Sequence, residues 1–530
     1  MKSSRTTYQR VASLRVERGV QLLIYIWMIF NLAACGQKVS SGETPRAPDP
    51  STETARTTPS IMATPTPTNA PTETPPPASQ IDLQPQELHG VIIRFWHPWS
   101  GAAGETVRAL VEEFNLQNEW KITAVPVSFG GLDRLEGAVN QALQDGEPPD
   151  LVVGYVQQAS AWDAQRTLLN LQDYIEDSEW GIPSDQRQDF YAVFWEQDVV
   201  QGRRLGVPMQ RSAQVLFYNR SWAQELGYHL PPATPQQFED QACAAAQANR
   251  RDEAPDNDGT GGWIASNNDA AALGWIYAFG GEVLQPTASQ ADESLYRFNN
   301  PEVSDTFTYL RELYNAGCVW APEIPYPETE FARRLGLFSS GSVMDIPYME
   351  QTMQSFGSDQ WTVLAYPSPI QKPAITSYGP SLAIFSSSPQ RQLAAWVLLR
   401  WLIEPRHHAR FVEATSSLPI HKAELVYLEE YQRRHPQWAA ALELIPYARS
   451  EPAVQSWSKV RWALSDAFTQ LFRSYFSLEQ LPAMLNYLDL TASELHLGAE
   501  RSGVYATPTT TVEATPLPTE SVAPSLSATP

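Results

Sequence analysis

Basic residues are scarce in this 530-residue chain: 37 Lys and Arg against 59 Asp and Glu leave a formal net charge of −22. Such a surface repels a phosphate backbone, which argues against nucleic acid as a partner. Long apolar runs are scarce too. The one candidate, Val20 to Phe30, is interrupted only by Gln21 and is too short to span a bilayer comfortably. No H-E-x-x-H, paired C-x-x-C or Walker-type sequence is present, so the usual zinc and nucleotide-loop chemistries have no foothold. Two near misses fail on one position each. GPSLA at 379–383 lacks the closing glycine of a nucleophile elbow. DNDGTGG at 256–262 begins like a calcium loop, but its twelfth position is Asn267 rather than a glutamate, which leaves a Gly/Asp turn.

What is present begins at the N-terminus. Lys2, Arg5, Arg10, Arg15 and Arg18 precede the apolar run and Leu32-Ala33-Ala34-Cys35 follows it, the layout of a secretory signal. The last four residues resemble the bacterial lipobox, whose cysteine is lipidated and becomes the first residue of the mature chain. The expectation is a lipoprotein signal peptide over 1–34, lipidation at Cys35 and a chain held at the outer face of the cytoplasmic membrane. Of three cysteines, Cys243 and Cys318 then remain as a candidate disulfide. Residues 35–88 read as a Thr/Pro-rich disordered linker, since 19 of the 30 residues in 51–80 are Ser, Thr or Pro. The same composition returns over 501–530, read as a disordered tail.

The folded part, about 89–500, opens with strand, helix, strand, helix, strand. GVIIRFW is apolar and β-branched. Within GETVRALVEEFN, Val107, Leu110, Val111 and Phe114 recur at i, i+3, i+4 and i+7, one helical face. KITAVPV is a second strand, Leu132, Leu135, Val139 and Leu143 mark a second helix, and DLVVGY is a third strand. This alternation predicts a parallel sheet with right-handed crossovers. Ligands of such sheets sit beyond the carboxyl ends of the strands, where WHPWSG and YVQQ lie. Farther on, ATPQQFEDQ, NNPEVSDTF and SSPQRQLAAW are helix starts with a polar cap and a first-turn proline. Two short strands, WTVLAYP and SLAIF, come some 200 residues after the opening unit, around 361–385. The chain is therefore expected to leave one lobe, build a second and return, and the repeated crossing makes a hinge. His407 and His408, after a helix-breaking proline, are expected to cap or to face solvent.

Aromatic residues are abundant, with 17 Trp and 21 Tyr. Flat rings with polar neighbours suit sugar faces, although any single ring is more often core. The stretches VIIRFWHPWSG, EPPDLVVGY, LGVPMQRSAQVLFYNRSWAQEL, FNNPEVSDTFTYLRELYNAG, FSSGSVMDIPYMEQ and YGPSLAIFSSSPQRQLAAWVLLRWLIEPRHHARFVEATSSLPIHKAEL together resemble the family 1 extracellular solute-binding proteins. These are lipoprotein or periplasmic receptors of ATP-binding-cassette importers, many of them for carbohydrates. The ordered set carries the resemblance, which covers nearly all of 89–480.

The resemblance implies an α/β, two-lobed periplasmic-binding-protein-like fold with a hinge and an inter-lobe ligand cleft. Lobe 1 would be 89–207 and 376–420, and lobe 2 would be 208–375 and 421–500. It implies ligand contacts from Tyr155, Gln157, Ser212, Tyr348, Tyr378, Gly379 and Trp457, the last stacking on sugar rings. Trp96, Trp99, Asn268, Asp269 and Trp275 are added from loop placement alone. The implied function is a monomeric, non-enzymatic receptor that delivers a small-molecule ligand, a sugar or oligosaccharide, to a membrane permease, with no cofactor, metal or catalytic residue. Two alternatives stand beside it: a glycerol-phosphate-type solute receptor and a tethered surface glycosidase. Val156 occupies the place of an acid in the glycerol-phosphate branch, which favours a neutral sugar, although Arg211 could supply charge to a phosphate.

Overall fold

The computed structural model describes residues 79–285, 295–322 and 326–504. The signal peptide, Cys35, most of the linker and most of the tail lie outside these residues. Among the described residues no helix is long and apolar enough to cross a membrane.

Two sheets organise the body. The first has strand order Thr123–Ser128, Ile92–His97, Leu151–Gly154, Ser381–Ile384, Val207–Pro208. Its first three strands run parallel, with Ile92 beside Thr123 and Phe95 beside Leu151. Helices Gly101–Gln117 and Leu132–Asp145 make the connections. Val107, Leu110, Val111 and Phe114 are all buried, so the face read from their spacing is the one that packs on the sheet. The late strand Ser381–Ile384 returns antiparallel beside Leu151–Gly154.

The body also begins earlier than expected. Residues 79–88 are not linker: Leu83 and Leu88 are buried in the first core, and the Ser79 hydroxyl donates to Asp177 at 2.8 Å. The Thr/Pro composition ends before IDLQPQEL, and there the apolar residues acquire a surface to bury. At the other end the last helix, Leu481–Val504, runs four residues into the expected tail.

The second sheet has order Ala448–Ser450, Ile375–Tyr378, Ser212–Asn219, Gly336–Ser342, Gly261–Ile264, Val319–Trp320, and Trp361–Leu364 also pairs with Ser212–Asn219. All eight residues of Ser212–Asn219 are buried, as a strand covered on both faces must be. One face packs on helices Pro235–Arg251, Asp269–Ala278, Pro301–Asn315 and Trp457–Gln470. Ile346–Phe356 and Pro436–Leu442 cover the other. The proline-led starts behave as the sequence predicts: Thr234, Asn300 and Ser388 accept the N–H of Gln237, Val303 and Arg391. Cys243 and Cys318 form a disulfide across 75 positions of sequence.

The chain passes between the sheets at Met209–Arg211 and at Gly379–Pro380. The second passage falls after Ile375–Tyr378, not at 376, because Thr376, Ser377 and Tyr378 pair with Gln214, Ala213 and Ser212. Arg211 knots the two passages together. Its guanidinium donates to the carbonyls of Gln210, Gly379 and Pro380, each at 3.0 Å, and to Asp198 at 3.0 Å. Fully buried, with both terminal nitrogens committed to carbonyls, Asp198 and Ser381, it is not available to a phosphate, contrary to the expectation for it. The two histidines differ from expectation as well. His407 and His408 are both buried within helix Pro405–Thr415. His408 bridges Glu424 at 2.7 Å and the Met209 carbonyl at 2.6 Å.

Candidate functional site

Serine and glycine have little side chain to bury, so a run of them ending an apolar strand leaves space beside the sheet. Ser339, Ser340, Gly341 and Ser342 do this at the end of Gly336–Ser342, and they line a cavity of about 130 Å³. Gln214 and Phe217 of the central strand, Ser266, Asn268, Tyr378 and Met349 form further walls. Tyr326, Pro327, Glu328 and Asp345 complete the lining. The lining is dominated by hydroxyls, amides and carboxyls with a few rings, the mixture that hydrogen-bonds and packs against a polyhydroxylated ring. Burial raises the pKa of Glu328, and the charge of Asp345 raises it further; burial raises Asp345 as well.

Beside this cavity the two lobes touch through a polar seam. Gln157, at the start of helix Val156–Trp162 on the first sheet, donates to the Pro452 carbonyl of the second body at 3.1 Å. Next to Pro452, the buried Glu451 accepts the Trp457 indole N–H at 3.3 Å. Asp269 and Arg461 pair at 3.0 Å close by. Burial, opposed by Arg461 and reinforced by Asp269, lifts Glu451 to about 7. Tyr155 is pushed up to about 12, by burial first and the Glu451 charge second. Tyr378 joins seam and cavity: it lines the cavity, is hydrogen-bonded to Ser342, and feels the charges of Tyr155 and Glu451.

Each expected contact can be placed against this geometry. Asn268 and Tyr378 line the cavity, and Asn268 also caps helix Asp269–Ala278 by accepting the Ala271 N–H at 2.7 Å. Ser212 stands behind the lining, its hydroxyl 2.8 Å from that of Ser342. Tyr155, Gln157 and Asp269 belong to the seam. Trp99 is buried, donating from its indole to Gln210 at 2.9 Å, and so braces a hinge passage. Trp96 packs on Phe129 and does not line the cavity. Tyr348 is 67% exposed, and the cavity is lined instead by its neighbour Met349.

Three expectations are corrected outright. Trp275 is a core side chain, fully buried with ring centroids 5.1–5.4 Å from Phe238, Trp263 and Tyr366. Trp457 is also fully buried, stacked near Tyr296 and bonded to Glu451, so no face is open to a sugar. Gly379 serves the backbone: its φ is +146°, and a side chain there would meet the Gln210 carbonyl oxygen at 2.1 Å. Sequence reasoning missed Gln214, Glu328, Asp345, Glu451 and Arg461. Only the Ser-Ser-Gly-Ser run ending an apolar strand carried a local signal.

Comparison with known proteins agrees with this architecture. A model of the bacterial extracellular solute-binding protein family matches residues 109–432. A putative binding protein of Brucella abortus is 19% identical over 288 residues, spanning 53% of this chain and 66% of that protein. A probable ABC transporter-binding protein of Deinococcus radiodurans is 24% identical over 319 residues, 58% of this chain and 73% of that protein. The structure of the sugar-binding protein MalE from Xanthomonas citri superposes with a TM-score of 0.66 at 20% identity, covering 79% of this chain and all of that one. With two α/β lobes and a polar cavity at the edge of the second sheet, the chain belongs to the bacterial extracellular solute-binding protein family.

Proposed function

We propose that the protein is an extracytoplasmic receptor, lipid-anchored through Cys35, that captures a sugar or oligosaccharide between its lobes and delivers it to the permease of an ATP-binding-cassette importer. The observation that carries this reading is the serine-lined cavity joined through Tyr378 to the inter-lobe seam. Sugar binding by the MalE relative supports it. Ligand hydroxyls would take the hydrogen-bonding positions of Ser266, Asn268 and the Ser339–Ser342 strand. Contacts to both lobes then favour the closed arrangement by their differential affinity, and no covalent step is needed. The Gln157–Pro452 contact is the closure contact in this scheme.

The test is a thermal-shift screen of the full-length protein in detergent against mono- and oligosaccharides, polyols and glycerol phosphates. A ligand at a hundred times its Kd stabilises the native state by about 2.7 kcal/mol, a readable rise in Tm. A rise with a glycerol phosphate alone would replace the sugar reading. Release of shorter sugars from a bound oligosaccharide would make the protein a glycosidase. For the anchor, Cys35→Ser should release the protein from membranes, and retention would mean that the apolar run is itself an anchor.

A further inference from the structure

The cavity has an unusual charge balance. Of the fourteen residues that line it, only Glu328 and Asp345 are ionisable at neutral pH, and both are acids. Neither belongs to an ion pair of the described residues, whereas Asp198, Asp269 and Asp359 each face an arginine. Asp345 has one internal role, accepting the Ser342 N–H at 2.9 Å through one carboxylate oxygen. The two acids act on each other, since the Asp345 charge makes Glu328 harder to ionise. A second feature points to a ligand independently. Gln214 is 2% exposed and lines the cavity, and its Nε2 lies beside the Tyr366 hydroxyl, which can accept one of its two N–H groups and leaves the other without an acceptor. A buried amide N–H without an acceptor is costly, and a ligand oxygen would satisfy it.

These observations ask for different things of one ligand. The amide wants an oxygen acceptor, and the serines want hydroxyls. The carboxylates want positive charge. A neutral sugar meets the first two and leaves two like charges together in a partly desolvated site. We propose that the cavity takes an amino sugar, its ammonium between the Glu328 and Asp345 carboxylates and a ring oxygen or hydroxyl oxygen on Gln214 Nε2. The inference rests on the sugar-binding reading and narrows it to a cationic class.

The experiment is isothermal titration of the full-length protein in detergent at pH 6.5 with glucosamine and its β-1,4 dimer, against glucose, N-acetylglucosamine and cellobiose. Wild type should bind the amino sugars at least tenfold more tightly, with a preference that shrinks as salt is raised. Glu328→Gln and Asp345→Asn should each abolish most of that preference, read within each variant as the ratio of amino-sugar to neutral-sugar affinity. The amide in Asp345→Asn retains an acceptor for the Ser342 N–H. Glu328→Gln, which breaks no ion pair and keeps an oxygen to accept the carboxyl's backbone hydrogen bond, covers the case in which the other variant fails to fold. Equal affinity for amino and neutral sugars would overturn the inference and leave the receptor reading intact, because the carboxylates would then serve hydroxyls alone. A preference that survives both substitutions would overturn it too. Binding of no sugar of either class would sink the inference together with the receptor reading.

Discussion

Replacing Gly379 by alanine tests the hinge most sharply. The residue sits where one inter-lobe passage presses on the other, and the contact is backbone against backbone. An added Cβ would lie 2.1 Å from the Gln210 carbonyl oxygen, 2.9 Å from its carbon and 3.1 Å from the Arg211 Cα. No flexible side chain can move aside, so the passages must separate by about 1 Å to restore van der Waals distance. That separation works against the Gln210 N–H to Pro380 carbonyl bond at 3.1 Å and the Arg211 bonds to the Gly379 and Pro380 carbonyls. Overpacking of this kind costs about 1–3 kcal/mol, and holding alanine at φ +146° adds about 1–2 kcal/mol. Unfolding entropy near 2.1 cal/mol/K per residue over about 400 residues converts the total to a drop in Tm of about 2–6 °C. Gly202→Ala is the control: its φ is also positive, +75°, but nothing lies within 4 Å, so only about 1 kcal/mol is expected. Calorimetry of the two variants beside wild type reads the difference. If Gly379→Ala melts no lower than Gly202→Ala, the passages are not pressed together and the hinge argument fails.

Three further outcomes follow from buried chemistry. Removing the disulfide with Cys243→Ala and Cys318→Ala frees a 75-residue loop and should lower stability by about 4 kcal/mol in denaturant unfolding; a loss under about 1 kcal/mol would show the bond to be incidental. Glu451, held at about 7 against an ordinary 4.5, keeps a proton in the native state that the unfolded chain has already released. Stability should therefore fall as pH rises from about 4.5 to 7, and Glu451→Gln should remove that slope and gain on wild type above pH 7. Parallel stability curves for the two proteins would refute it. Arg211→Met strands the buried Asp198 and should cost about 3–5 kcal/mol. Adding Asp198→Leu should recover only part of this, because the Gln210 and Gly379 carbonyls stay without their donor; full recovery would reduce Arg211 to a simple ion-pair partner.

What the sequence made legible follows from the range of each signal. Val107, Leu110, Val111 and Phe114 share a face because a helix repeats every 3.6 residues, and that repeat needs nothing outside seventeen residues of chain. The capped, proline-led helix starts are shorter signals still, and all three hold in the structure. The site is not local in this sense. Gln214 meets Ser342 across a strand pairing of residues 128 positions apart, and Asp269 meets Arg461 across 192. Residue type does not substitute for that adjacency. Trp457 and Trp275 have the side chains a sugar site favours, yet both are sealed into the second core, whereas four of the fourteen residues walling the cavity are serines, which no aromatic search would select. The physical reason is that large rings gain most by burial, so a protein rich in them places most of them inside. Open space is left where side chains are small, and here it was marked by Ser-Ser-Gly-Ser at the end of an apolar strand rather than by any tryptophan. In this solute-binding protein the small polar run at a strand end is therefore the better sequence guide to the cavity.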